Sequence, residues 1–312
     1  DGNQAVMKMK RRSAMKDKIK LILTLLFLCV FIQISTVSAS LASSAEGGVK
    51  IPVLVYHHID NDVSNSMVVT PAKFKSDMLM LKKAEYETIT FKDLTLALNG
   101  YGKLPEKPVI ITFDDGYYSN YKYAYPILKD LGMKAVINII GWSVGRSGFI
   151  TNNNKIIPHF TWEEAGEMIN SGVIEIQNHT FDLHSYEGKS TGYEKPCGIG
   201  VKPFKNEAYK AYKKRLIQDI IKNNQEIYNH TGAVSTFVAY PYGEYTKESE
   251  QILTEIGIDG TLTTKAAVRY YSGTGDLRAI PRLTVTMSQN GENLIKTIEA
   301  LPIDKAEKKK ER

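Results

Sequence analysis

The sequence predicts an α/β fold in which parallel strands alternate with helices and curl into a closed or nearly closed barrel. Three observations predict it. A rhythm repeats along the chain, in which a helical segment ends at a glycine and an apolar strand follows. It occurs at Gly132 before Ala135 to Ile140, at Gly172 before Val173 to Gln177, at Gly232 before Val234 to Tyr240, and at Gly257 before Gly260 to Thr263. Glycine takes the left-handed conformation that ends a helix at little cost. Strands that alternate with helices lie parallel with the helices outside, and roughly six or seven such units are enough to close a sheet on itself. Finally, the residues that carry chemistry all fall at strand carboxyl ends, where such barrels place their sites.

The elements follow in order. Lys8, Lys10, Arg11, Arg12, Lys16, Lys18 and Lys20 precede an apolar run from Leu21 to Ile34, and small residues around Val37-Ser38-Ala39-Ser40 follow. This is the layout of a secretory signal peptide cut after Ala39. Extending the run to Val37 leaves an uncleaved anchor open. Residues 1–39 are therefore assigned as signal peptide or N-terminal anchor, 40–49 as linker, 50–303 as the functional domain and 304–312 as a charged, solvated tail. Thr70 caps a helix from Pro71 that carries Phe74, Met78 and Leu81 on one face. Thr161 and Glu164 form a capping box ahead of Met168. Glu207 to Tyr228 reads as a long helix of mixed charge, and Asn290 to Leu301 as the last helix. Ser185 to Lys205 breaks the rhythm and reads as a rim loop or a plain surface insertion.

Charge and cysteine count exclude some classes. The 312-residue chain carries a net charge of +6, of which residues 1–39 supply +5 through seven Lys or Arg and two Asp. The body is nearly neutral, so nucleic-acid binding is not expected. Only Cys197 remains after the leader, so the mature domain has no intrachain disulfide and its stability must come from an apolar core.

Three strand ends carry the chemistry. Ile110-Ile111-Thr112-Phe113 ends in Asp114-Asp115-Gly116. Adjacent carboxylates repel, and burying them costs free energy unless a cation or a proton is shared. The plainer reading is one helix-capping Asp and one solvated Asp. Val173 to Gln177 runs into Asn178-His179-Thr180-Phe181-Asp182-Leu183-His184. On a helix the two imidazoles would sit roughly 140° apart around the axis, and on a strand they would face opposite sides. They converge only if the backbone turns between them. Two His and an Asp suit zinc, or a similar divalent ion such as cobalt or nickel, and leave positions open for water and substrate. The third end, Thr236 to Tyr240, leads into Pro241-Tyr242-Gly243, a turn able to aim a backbone N–H at a developing oxyanion. His57 and His58 follow the first apolar strand, Ile51 to Tyr56, and fit the same rim or a packing role equally well.

In this order these residues resemble the polysaccharide deacetylase family, the NodB-type carbohydrate esterases. Thr112-Phe113-Asp114-Asp115-Gly116 matches the first motif without change. His179-Thr180 with His184 matches the second at a wider spacing, which looks like the biofilm branch that deacetylates poly-β-1,6-N-acetylglucosamine. Val55-Tyr56-His57-His58-Ile59 and Phe237 to Gly243 are similar to that branch too. The resemblance covers roughly residues 50 to 286. It implies a distorted (β/α) barrel with fewer than eight parallel strands. It also implies Asp114 as general base, Asp115, His179 and His184 as metal ligands, and the Tyr242 amide as oxyanion donor.

The implied protein is a secreted or surface-bound monomer. It would be a metal-dependent hydrolase that removes N-acetyl groups from an N-acetylglucosamine polymer at the cell envelope. Peptidoglycan or chitin oligomers are rival substrates, and a glycan-binding module that has lost turnover is a rival of another class. Two departures favour that last rival. The arginine that many members place shortly before the Pro-Tyr turn is Ala239 here, so Asp114 must be oriented from elsewhere. No histidine follows His230 to serve as the late general acid. Tyr117, Tyr118, Trp142, Trp162, Tyr186 and Tyr245 lie near the motifs and could stack on sugar rings.

Overall fold

Strand β1 (Val49–Ile51) stops at Pro52, and β2 (Val53–Tyr56) begins beyond it. The single strand expected over Ile51 to Tyr56 is thus two, because proline has no N–H to continue a ladder. The short strands β3 (His58–Ile59) and β4 (Val68–Val69) pair with each other. Helix α1 (Pro71–Lys83) starts as predicted: the Thr70 side chain accepts from Lys73 N, and Phe74, Met78 and Leu81 are buried. Strand β5 (Glu87–Thr88), helix α2 (Phe91–Leu98) and strand β6 (Pro108–Phe113) follow. A π-helical turn (Asn120–Ala124) leads into α3 (Tyr125–Leu131), which ends on Gly132 at φ 65°. Strand β7 (Ala135–Ile139) is followed by a hairpin of β8 (Gly148–Thr151) and β9 (Asn154–Ile156). The predicted capping box of Thr161 and Glu164 opens α4 (Trp162–Asn170). Strand β10 (Ile174–Asn178) precedes the long α5 (Tyr209–Thr231). The remaining elements are β11 (Phe237–Ala239), α6 (Lys247–Glu255), β12 (Gly260–Leu262), β13 (Val268–Tyr271), β14 (Leu283–Thr284), α7 (Gly291–Glu299) and β15 (Ile303–Asp304).

This computed structural model describes residues 48–151, 154–184, 200–272, 275–289 and 291–304. The leader assigned to 1–39, most of the linker, Cys197, residues 185–199 of the rim segment with Tyr186, and the tail beyond Asp304 lie outside the described residues. Among those described, no helix is long and apolar enough to cross a membrane.

The main sheet runs β12-β11-β10-β7-β6-β2-β14, with every pair parallel and β5 added beside the start of β6. Its two edges are bridged by one segment. Thr263 N and Ile280 N exchange bonds with Ile280 O and Thr261 O at the β12 edge, and Val285 N donates to Val55 O at the β2 edge. The result is the distorted barrel of seven parallel strands that the sequence implies. A side sheet of β1, β13 and β15 lies off it.

Period-two alternation sorts the strand residues. Ile111, Phe113, Ile137, Ile139, Ile174 and Ile176 join one apolar cluster with residues of α1, α3 and α4. Val53, Ile110, Val136, Phe237, Ala239 and Leu262 form a second cluster, inside the barrel. The inward parity therefore continues from Ile110 through Thr112 to Asp114, and from Val136 to Asn138. Phe113 is level with Ile137, and Asn178 is level with Val238. The register alone thus sets Asp114 beside Asn138 and His179 beside Ala239.

Candidate active site

Three of the six non-glycine residues with positive φ among the described residues stand at these strand ends. They are Asp115 (φ 75°) after β6, Thr180 (φ 72°) after β10 and Tyr242 (φ 61°) after β11. The left-handed conformation costs roughly 1–2 kcal/mol for a residue with a Cβ. Strain of this kind gathers where the fold must aim a group away from its strand. At β6 the turn lets Asp114 keep the inward direction while Asp115 leaves it. At β10 the turn lets two histidines five positions apart come together.

They come together on Asp115. Its Oδ1 lies 3.5 Å from His179 Nε2 and 3.3 Å from His184 Nε2. One ligand atom from each of the three residues falls within 4.8 Å of the others. His179 Nδ1 is 2.8 Å from Ala239 O. A carbonyl can only accept, so Nδ1 donates there, and in the neutral ring the lone pair sits on Nε2 and points at Asp115. Against its burial, the carboxylates of Asp114 and Asp115 raise the imidazole, so without an ion a proton on Nε2 fills that place. Asp115 Oδ1 is buried without a hydrogen-bond partner among the described residues, and the Tyr117 hydroxyl bonds to the same carboxylate. Electron-rich atoms that face one another in a buried site repel unless a cation or proton lies between them. Tetrahedral zinc with bonds near 2.0–2.1 Å spaces its ligand atoms about 3.4 Å apart. The donor set, its spacing and the orphaned oxygen all fit a divalent ion. His184 leans on the Tyr242 ring at 4.6 Å, and its Nδ1 is 3.3 Å from the Tyr242 hydroxyl.

Asp114 has different partners. Arg282 grips it with two bonds, 2.8 Å to Oδ1 and 2.7 Å to Oδ2, and Asn138 donates to Oδ1 at 2.7 Å. Arg282 is fully buried; its remaining donors reach Thr263 O at 2.9 Å and Thr112 Oγ1 at 3.2 Å. Burial by itself would raise the Asp114 carboxyl. The Arg282 guanidinium, helped by His179, overrides this and holds it well below the usual carboxylate range. Asp114, Asp115, His57, His179, His184 and Tyr242 line one cavity of about 500 Å³. An ionised buried carboxylate, a carboxylate and two imidazoles spaced to hold an ion, and a further imidazole around a single cleft suit hydrolysis of an acyl bond.

Comparison with known proteins supplies the family. A family model described as polysaccharide deacetylase matches residues 101–261. The chain is 31% identical over 252 residues to YxkH of Bacillus subtilis (strain 168), whose name places it among polysaccharide deacetylases; the match covers 81% of this chain and 77% of that protein. The chain belongs to the polysaccharide deacetylase family. It is therefore a hydrolase of the polysaccharide deacetylase type. Poly-beta-1,6-N-acetyl-D-glucosamine N-deacetylase of Escherichia coli (strain K12) is 24% identical over 74% of this chain, and the match takes in 36% of that longer protein. Among solved structures, the de-N-acetylase from Aggregatibacter actinomycetemcomitans has a TM-score of 0.66 and 25% identity, covering 80% of this chain and 100% of that one. IcaB from Ammonifex degensii has a TM-score of 0.65 and 24% identity, covering 80% and 97%. These likenesses bear out the barrel.

Of the residues singled out by sequence, Asp114, Asp115, His179, His184 and Tyr242 share the cleft, and His57 and His58 join them. His58 is tied to Ser119 Oγ at 2.7 Å. Arg282 answers the missing arginine: it lies 168 positions after Asp114 and reaches it from the segment that bridges the sheet edges. His230 is elsewhere, stacked on Trp162 and paired with Glu226. The other aromatics divide. Tyr117 lines the cleft, Trp142 lies under Arg146, and Tyr245 stacks on Tyr240. His159, not anticipated, packs on Tyr117 at 5.0 Å and is pushed down to about 4 by burial, so it is a neutral packing group.

Proposed function

We propose that the protein is a metal-dependent N-deacetylase of extracellular N-acetylglucosamine polymers, with poly-β-1,6-N-acetylglucosamine the favoured substrate. One observation carries the reading. Asp115 Oδ1 is buried, has no hydrogen bond among the described residues, and lies within 3.5 Å of both imidazole Nε2 atoms, next to a carboxylate that Arg282 keeps ionised. The activity named for the Escherichia coli relative supports the polymer. The charge and apolar pattern of residues 1–39 supports export.

Asp115, His179 and His184 would hold zinc, or cobalt or nickel in its place. When bound, the ion supplies Lewis acidity that acidifies water and polarises a carbonyl, and Asp114, held too low to draw a proton from ordinary water, depends on it. Asp114 accepts the proton of the water that attacks the acetamide carbon. The Tyr242 backbone N–H donates to the oxyanion of the tetrahedral intermediate. His57 protonates the leaving nitrogen as the C–N bond breaks. Its Nδ1 is buried and makes no hydrogen bond among the described residues, whereas His58 is held by Ser119. Acetate and a free amine result. The amine takes up a proton near neutral pH, so the polymer becomes cationic.

The reading as a binding module rested on the missing arginine and the missing late histidine. Arg282 and His57 weaken both supports. The test is acetate release from β-1,6-linked and β-1,4-linked N-acetylglucosamine oligomers by zinc-loaded wild type and by Asp114→Asn. Release by wild type, greatest on the β-1,6 oligomer and absent in the variant, is the expected result. Greater release on the β-1,4 oligomer moves the assignment to peptidoglycan or chitin. No release on either oligomer with zinc, cobalt or nickel sinks the enzyme reading.

A further inference from the structure

The stretch from His179 to His184 leaves its sheet yet stays largely buried, so its backbone groups need partners other than a neighbouring strand. Helix α5 supplies them. Asp219 accepts from Phe181 N at 2.7 Å through Oδ1 and from Asp182 N at 2.9 Å through Oδ2. One turn later Asn223 donates to Thr180 O at 3.0 Å, Ile139 O at 2.9 Å and Asn178 Oδ1 at 2.9 Å. Asn178 Oδ1 accepts Thr180 N at 2.6 Å, and Thr180 Oγ1 accepts Leu183 N at 3.2 Å. Every N–H from Thr180 to Leu183 is therefore taken by a side chain, and two of the four go to one carboxylate. Asp219 and Asn223 are four apart, on one face of the helix.

Asp219 is an unusual residue to bury for stability alone. It is fully buried and forms no salt bridge among the described residues. Burial pushes its carboxyl up to about 7, even with both backbone N–H bonds in place. What it does achieve is geometric. It fixes the two peptides midway between the histidines, where the chain must turn for both rings to reach Asp115.

We propose that Asp219, seconded by Asn223, is a positioning residue for the metal centre, and sets the loop path that lets a wide histidine spacing converge on one ion. The inference rests on the reading of Asp115, His179 and His184 as a metal site.

Asp219→Asn is the sharpest probe. It keeps the shape but turns one acceptor into an NH₂ group that faces an N–H. Zinc affinity of the metal-stripped full chain is read by competition with a chromophoric chelator. Partners that orient metal ligands typically contribute about 10–100-fold in affinity, so a loss of at least about tenfold is expected. Acetate release by the variant should recover at saturating zinc with KM unchanged, which a collapsed fold would not allow. Gln218→Ala, an exposed site on the same helix, should bind zinc as wild type does. A folded Asp219→Asn with wild-type zinc affinity overturns the inference. If that variant does not fold, Asn223→Ala is read by the same two criteria. If wild type itself binds no zinc, the site reading has failed, and this inference with it.

Discussion

Replacing Arg282 with methionine strips the Asp114 carboxylate of its bidentate partner and leaves Asn138 as its remaining side-chain hydrogen-bond donor among the described residues. Breaking a buried ion pair from one side costs about 3–5 kcal/mol, because the remaining charge keeps its desolvation penalty. In a domain of this size each kcal/mol moves the melting temperature by about 2–4 °C, so Arg282→Met should melt roughly 6–20 °C below wild type. The loss should be mostly coupling. In an Asp114→Asn background the same replacement removes no counter-charge, so it should be less destabilising by at least about 1.5 kcal/mol in a double-mutant cycle. Arg282→Lys separates charge from geometry. An ammonium cannot form the fork, nor reach Thr263 O and Thr112 Oγ1 together with it. Loss of one charge-assisted bond of about 1.5–3 kcal/mol predicts roughly a 10–150-fold fall in kcat/KM. Calorimetry and acetate release measure the two effects. An Arg282→Met protein that melts within about 2 °C of wild type and still turns over would refute the assignment of Arg282 as the partner that holds the base.

Three further outcomes are expected. His57→Gln should lower kcat by about 10²–10⁴ with zinc affinity unchanged; wild-type turnover would pass the acid role to another group. Gly141→Ala would set a Cβ 2.3 Å from Asn223 Oδ1 and 2.7 Å from the Phe181 ring. Overpacking of that kind costs about 1–3 kcal/mol and should weaken zinc binding as well as stability; an unchanged protein would mean that α5 does not grip the loop. The Asp219 carboxyl, raised by burial from 3.8 to about 7, binds its proton more tightly folded than unfolded. Its contribution is therefore fully present below about pH 4, is lost as pH rises toward 7, and leaves a deficit of about 4 kcal/mol above that. Metal-stripped Asp219→Asn should gain on wild type in urea melts between pH 5 and pH 8; parallel pH dependences would contradict this.

Much of the fold was legible because its signals are local. Gly132, Gly172, Gly232 and Gly257 all take positive φ where the sequence places helix ends. The Thr70 cap and the Thr161 box both open helices. Asp114, Asp115 and His179 were legible as chemistry because they follow apolar strands directly, and His184 because it repeats the imidazole five positions on. Arg282 was not. It stands just ahead of β14, a strand of two residues and too short for a pattern, and its partner lies far upstream. The Pro281-Arg282-Leu283 run, with a lone cation entering an apolar stretch, was the only hint of an inward-facing charge. The break at Pro52 and the side sheet of β1, β13 and β15 arise from long-range pairing that no window of sequence contains. Asp219 and Asn223 read as ordinary polar residues of a mixed helix until the loop they hold is seen.

In the proposed mechanism Asp115, His179 and His184 share one divalent ion. Elemental analysis after exhaustive dialysis tests this most directly, applied to wild type, Asp115→Ala and His184→Ala. One equivalent of a divalent transition metal per wild-type chain, lost in both variants, is the predicted result. A wild-type protein that neither retains nor takes up such an ion, or variants that keep theirs, would contradict it.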